Sequence, residues 1–122
     1  MAHISWKVRT GDPDDVISSL RRSVGQLARN VGKFKIGRTS DPAARANARE
    51  YAEGYDELIV IYSTTSAEFV NDVERDLIDY FETHSDVSNF RGGGGGPLGR
   101  PPYYVYVVRT KTLADKLWSI FE

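Results

Sequence analysis

The sequence predicts an α+β fold: one small, mainly antiparallel sheet of three to four strands flanked by about four helices, in a single domain over residues 1–122. Three observations point there. Asp-Pro occurs twice, at Asp12-Pro13 and Asp41-Pro42, pairing an N-cap side chain with a proline at the first helical position, where its missing N–H costs nothing. Short β-branched and aromatic runs alternate with these helical stretches. Neither an internal repeat nor a linker divides the chain, and at 122 residues it has room for one hydrophobic core.

The elements follow in order. Ile4, Trp6 and Val8 alternate with Ser5, Lys7 and Arg9, the period of a half-buried strand. Asp12-Pro13, with Asp15 in the first turn to complement the helix dipole, opens a helix to about Asn30 that Gly32 ends. Lys33 to Thr39 reads as a short strand, and Asp41-Pro42 starts a helix through roughly Tyr51, with Gly54 past its end. Leu58-Ile59-Val60-Ile61-Tyr62 is apolar enough for a central strand covered on both faces. Thr65 and Glu68 have capping-box spacing before a helix from Ser66 to about Thr83. Gly92 to Gly96, Pro97 and Pro101-Pro102 predict a loop. Tyr103 to Arg109 predicts a strand, and Thr112 with Asp115 caps a last helix bearing Leu113, Leu117, Trp118 and Phe121.

Composition narrows the function classes. With no cysteine there is no disulfide framework, Cys-ligated zinc or thiol catalysis, and His3 and His84 lie too far apart for a local zinc motif. No stretch approaches the roughly 20 apolar residues of a membrane span, and the N-terminus lacks a signal-peptide h-region. The expectation is a cytoplasmic protein, or a nuclear one in a eukaryote. The net charge is −1, unevenly spread: residues 1–50 carry +5, residues 51–90 carry −9 and residues 91–122 carry +3. The basic segments suit phosphate binding; solvated helix faces of different sign explain the same numbers.

One residue breaks its pattern. With Val70 as zero on a helical wheel, the apolar residues Phe69, Val70, Val73, Leu77, Ile78, Tyr80 and Phe81 fill an arc from about 260° round to about 80°. Glu74 falls near 40°, the only charge in that arc. A carboxylate there needs a cation or a donor. It is either paired structurally with an arginine such as Arg45 or held for function.

Phe34-Lys35-Ile36-Gly37-Arg38-Thr39, then Arg45, then Glu74 followed by Leu77-Ile78, then Asn89 and the glycine tract, resemble the GIY-YIG nuclease superfamily. The likeness covers residues 32–96 and is greatest to a small phage-type branch whose second motif reads Lys-Ile-Gly-Arg-Thr. The order matches, with Lys35 ten residues before Arg45 and Glu74 fifteen before Asn89. The resemblance implies that Glu74 is the one protein ligand of Mg²⁺ or Mn²⁺, water and phosphate oxygen completing the shell. It implies that Arg45 contacts the scissile phosphate, that Gly37 allows close backbone approach and that Asn89 positions the carboxylate or the phosphate.

The departures are specific. Lys35 stands where the family has its second tyrosine; it could hold the phosphate or nucleophile, but only a depressed pKa would make it a base. Arg49 replaces the histidine that often follows the arginine. The first tyrosine motif is missing from its usual place, occupied by the helix from Pro13; the candidate replacements are Tyr104 or Tyr106, if the last strand lies beside Lys33 to Thr39, or no tyrosine at all, which leaves the general base unassigned. The implied activity is metal-dependent hydrolysis of DNA, with Lys35 and Arg45 gripping phosphate and Arg38 and Arg49 extending backbone contact. Two alternatives accompany it: a non-catalytic nucleic-acid-binding module that kept the fold, and a protein-interaction domain whose acidic helix face meets a basic partner.

Overall fold

The computed structural model of the chain describes residues 2–83, 89–93 and 96–111. It is α+β, with strands β1 (His3–Arg9), β2 (Phe34–Thr39), β3 (Glu57–Thr64), β4 (Phe90–Gly93) and β5 (Tyr103–Arg109). The helices are α1 (Pro13–Leu27), α2 (Pro42–Asn47), α3 (Arg49–Gly54) and α4 (Ala67–Thr83). The expected last helix from Thr112 lies outside the described residues. Among the described residues no helix is long and apolar enough to cross a membrane.

The helix starts obey the sequence. Asp12 accepts from the Asp14 N–H at 2.9 Å, and Asp41 from the Ala44 N–H at 3.1 Å. Three boundaries differ from expectation. The first helix stops at Leu27 rather than near Asn30. Arg109 donates to the Leu27 carbonyl at 2.9 Å, and Asn30 takes the left-handed turn (φ 61°) expected of Gly32. The helix after Asp41 breaks at Ala48, which is extended (φ −58°, ψ 138°), so that α3 starts afresh. Thr65 does not cap α4: Ser66 Oγ accepts from the Phe69 N–H at 3.1 Å, and Thr64 Oγ1 from the Ser66 N–H. The cap sits one residue on because the helix starts at Ala67.

The sheet has five strands in the order β1-β3-β5-β2-β4, not three or four. β5 lies at its centre, antiparallel to both β3 and β2, while the edge strands β1 and β4 run parallel to their neighbours. The sheet is therefore mixed rather than mainly antiparallel. The added edge strand comes from the predicted loop: Gly92 and Gly93 extend β4, with Gly93 opposite Ile36. Glycine is depleted in strands because it has no side chain to pack, which hides such an edge from pattern reading.

The sheet separates two cores. Against one face α1 and α4 bury Leu20, Val24, Phe34, Ile36, Ile59, Ile61, Val73 and Leu77. Against the other α2 and α3 bury Ala46, Tyr51, Tyr55, Leu58, Val60, Tyr106 and Val108. β3 serves both, as its continuous apolar run predicted. The register of β2 on β5 then assigns every side chain of β2 to a face. Ile36 lies opposite Val107 and Arg38 opposite Val105, on the α1/α4 side; Lys35 lies opposite Val108, Gly37 opposite Tyr106 and Thr39 opposite Tyr104, on the α2/α3 side.

Candidate functional site

The α1/α4 side of β2 carries Arg38. Its Nε donates to Glu74 Oε1 at 3.2 Å, with side chains 25% and 13% exposed. Glu74 is therefore inside the apolar arc of α4, as the helical wheel required, and its arginine is Arg38 rather than Arg45. The pairing is incomplete. Glu74 Oε2 is buried with no hydrogen-bond partner, and so is Asn71 Oδ1, three residues earlier on α4. Both residues line a cavity of about 320 Å³ with Arg38, Arg75, Ile78 and Asp79. Burial raises the Glu74 carboxyl above its ordinary value, and the Arg38 charge and hydrogen bond offset only part of this. Gly93 packs closely on Ile78, where a Cβ would meet Ile78 Cδ1 at 2.7 Å.

The α2/α3 side carries a second polar group, in which two hydroxyls pair while Arg45 Nε is buried without a hydrogen bond. The Tyr51 and Tyr106 hydroxyls lie 2.9 Å apart on two side chains with no exposed surface. The Arg45 guanidinium donates to them at 3.5 and 3.4 Å and lies over the Tyr51 ring, 5.1 Å from its centre. Gly37 is a glycine because a Cβ there would run into the Tyr106 hydroxyl and ring. Lys35 pairs with Glu50 at 2.7 Å; that hydrogen bond raises the ammonium and lowers the carboxyl from their ordinary values.

Register therefore divides the residues expected to share one pocket. Lys35, Gly37, Arg45, Tyr104 and Tyr106 face α2 and α3, with Glu74 and Arg38 behind them across β2. β5 does lie beside β2, as the substitution of Tyr104 or Tyr106 for the missing motif required. Neither tyrosine faces the Glu74 cavity, however. Tyr104 packs edge-on against Trp6, their rings 5.7 Å apart. Burial moves the Tyr106 hydroxyl far above its ordinary value, away from the range of a general base. Lys35, raised rather than depressed, does not meet the condition for a base either.

Two further residues are engaged elsewhere. The Asn89 side chain donates to the Ala28 and Val31 carbonyls, both at 3.0 Å, and the Asn89 backbone carbonyl accepts from Phe34 N–H. It ties the start of β2 to the turn after α1 instead of reaching the carboxylate. Arg49 is exposed and pairs loosely with Glu53 on its own helix, at 3.4 Å. Asn71 is what sequence reasoning missed. It stands one turn before Glu74 on the same side of the helix, but an asparagine beside an apolar arc carries no signal until its oxygen is seen to be buried.

The residues of the cavity fit a hard divalent cation. Its unsatisfied atoms are oxygens, and beside the guanidinium groups of Arg38 and Arg75 it offers two carboxylates, Glu74 and Asp79, and one amide, with no imidazole or thiolate. Among the described residues no group of three or more His, Cys, Asp or Glu side chains gathers to hold a metal, so water and substrate oxygen would complete the shell. Comparison with protein-family models, with curated proteins and with solved structures returns no match to this chain.

Proposed function

We propose that this protein is a metal-dependent endonuclease that hydrolyses DNA phosphodiester bonds, with its site at the Glu74 cavity. The observation that carries the reading is Glu74 Oε2, a buried carboxylate oxygen without a partner on a residue that lines a cavity beside an arginine. A carboxylate serving only as a structural counter-ion would be expected to use both oxygens, because each one left unsatisfied in a buried position costs about 1–3 kcal/mol. Bound there, Mg²⁺ or Mn²⁺ would polarise the phosphate and acidify a water.

The chain's own groups have separable tasks. Glu74 holds the cation. Arg38 orients that carboxylate through Nε, and its terminal nitrogens, without hydrogen bonds among the described residues, meet the phosphate and offset its charge. Asp79, at the cavity wall, is the carboxylate left to accept a proton from the attacking water. Arg45 holds the buried tyrosine pair and supports β2 from behind.

A second reading, a nucleic-acid-binding module without catalysis, is favoured by one observation: Tyr104, Tyr106 and Lys35 face away from Glu74. Incubation of plasmid and single-stranded DNA with Mg²⁺, Mn²⁺ or EDTA separates the two. The nuclease reading expects cleavage with either metal, none with EDTA and none in Glu74→Ala. Salt-sensitive DNA binding without cleavage supports the module instead. Failure to bind DNA or RNA at any salt concentration overturns both and leaves a protein-interaction domain.

A further inference from the structure

We infer that Asn71 is a second protein ligand of the cation, its Oδ1 chelating together with Glu74 Oε2. The inference rests on the proposed metal at Glu74 and names the partner of that carboxylate. Residues three apart on a helix are neighbours on its surface, and both side chains line the same cavity. Both are buried, and neither has a hydrogen-bond partner. Two neighbouring acceptors without donors are satisfied together by something positive or by a shared donor, while the Asn71 amide turned end for end, its Nδ2–H₂ donating to Oε2, would satisfy the carboxylate alone.

Arg38 does not fill that role, because its Nε engages Oε1 and leaves Oε2 without a partner. The pair brings one negative charge and one neutral oxygen. That suits a small hard cation that keeps several waters and takes a phosphate oxygen, and it suits Ca²⁺ less, which takes six to eight ligands. With so few protein ligands the site binds metal modestly by itself, so the nucleic acid's own oxygen becomes part of the cage. A water donating one proton to each oxygen is the competing occupant.

The test is a Mn²⁺ titration of the full chain without nucleic acid, reading free Mn²⁺ by electron paramagnetic resonance, with metal-free thermal unfolding of each variant as the folding control. Asn71→Ala should weaken Mn²⁺ binding by about tenfold or more. Asn71→Asp, which adds a charge at the same oxygen, should tighten it, and Glu74→Ala should abolish it. If Glu74→Ala abolishes binding while both Asn71 variants bind as the wild type does, a water bridges the pair; the inference falls and the metal at Glu74 stands. If the wild type binds no Mn²⁺, the proposed metal site falls with it. If Asn71→Ala does not fold, Asn71→Asp decides: tighter binding supports the ligand and unchanged binding overturns it.

Discussion

The two sides of β2 present the same chemical types, an arginine against oxygen acceptors, and satisfy them to different degrees. On the α2/α3 side Arg45, Tyr51 and Tyr106 form a group in which both hydroxyls pair within a buried aromatic cluster, although Arg45 Nε has no hydrogen bond. On the α1/α4 side Arg38 satisfies one oxygen of Glu74 and leaves the other, with that of Asn71, buried without a partner on residues that line a cavity. A satisfied polar network rigidifies a core, while an unsatisfied one is a cost that a ligand can remove. The contrast is one of degree, since Arg45 Nε is also buried without a hydrogen bond, and the proposed function places the chemistry at Glu74 and a supporting role at Arg45, although the resemblance gives both a role in catalysis.

The largest expected effect is on the α1/α4 side. Glu74→Ala should reduce Mg²⁺-dependent cleavage to background while changing stability by no more than about 1 kcal/mol, because Arg38 can turn to water. Thermal unfolding should also show Mg²⁺ raising the melting temperature of the wild type and not of this variant. A loss of roughly 3–5 kcal/mol, with no metal response in the wild type, would make the two sides alike and Glu74 a structural counter-ion.

The α2/α3 side should respond in reverse. Gly37→Ala forces a methyl group into the Tyr106 ring and should cost about 1–3 kcal/mol in chemical denaturation. Tyr106→Phe keeps the ring but takes away a partner of Tyr51 and Arg45, at roughly 1–2 kcal/mol, with cleavage per folded molecule unchanged. Cleavage lost in a folded Tyr106→Phe protein would return that hydroxyl to the chemistry.

A smaller effect concerns pH. Burial raises the Glu74 carboxyl, so the native state binds its proton more readily than the unfolded chain does. Stability from this group is therefore highest below the ordinary value of 4.5 and falls as pH rises through the raised one. The stability of wild type minus that of Glu74→Gln should drop over the same interval, and saturating Mg²⁺ should reverse the drop. A flat difference would mean that Arg38 fully offsets the burial. The smallest effect belongs to the exposed pair on the other side: Glu50→Gln should cost less than about 1 kcal/mol near neutral pH, measured by denaturant midpoint at low salt. Glu50 is lowered, so that increment is present above its ordinary value and disappears as pH falls through the lowered one.

Local chemistry made much of this protein legible. The Asp-Pro starts placed α1 and α2, the apolar run placed β3 between two layers, and the wheel put Glu74 on the buried side of α4, because each depends on a few neighbouring residues and one repeating angle. The partner of that carboxylate was not legible, since a strand's alternation says which residues share a face but not which face meets which helix. That waited on β5, sixty-odd residues later in the chain, pairing along β2 with Gly37 opposite Tyr106. The same long-range register sent Arg45, Tyr104 and Tyr106 to one side and Arg38 to the other, drew the first glycines of the tract into an edge strand, and tied Asn89 to the turn after α1. The sequence by itself determined the α+β class, the helix starts and a carboxylate where a hydrophobe belongs. Only the tertiary structure decided what that carboxylate meets, because strand partners and helix layers are chosen by contacts between residues far apart in the chain.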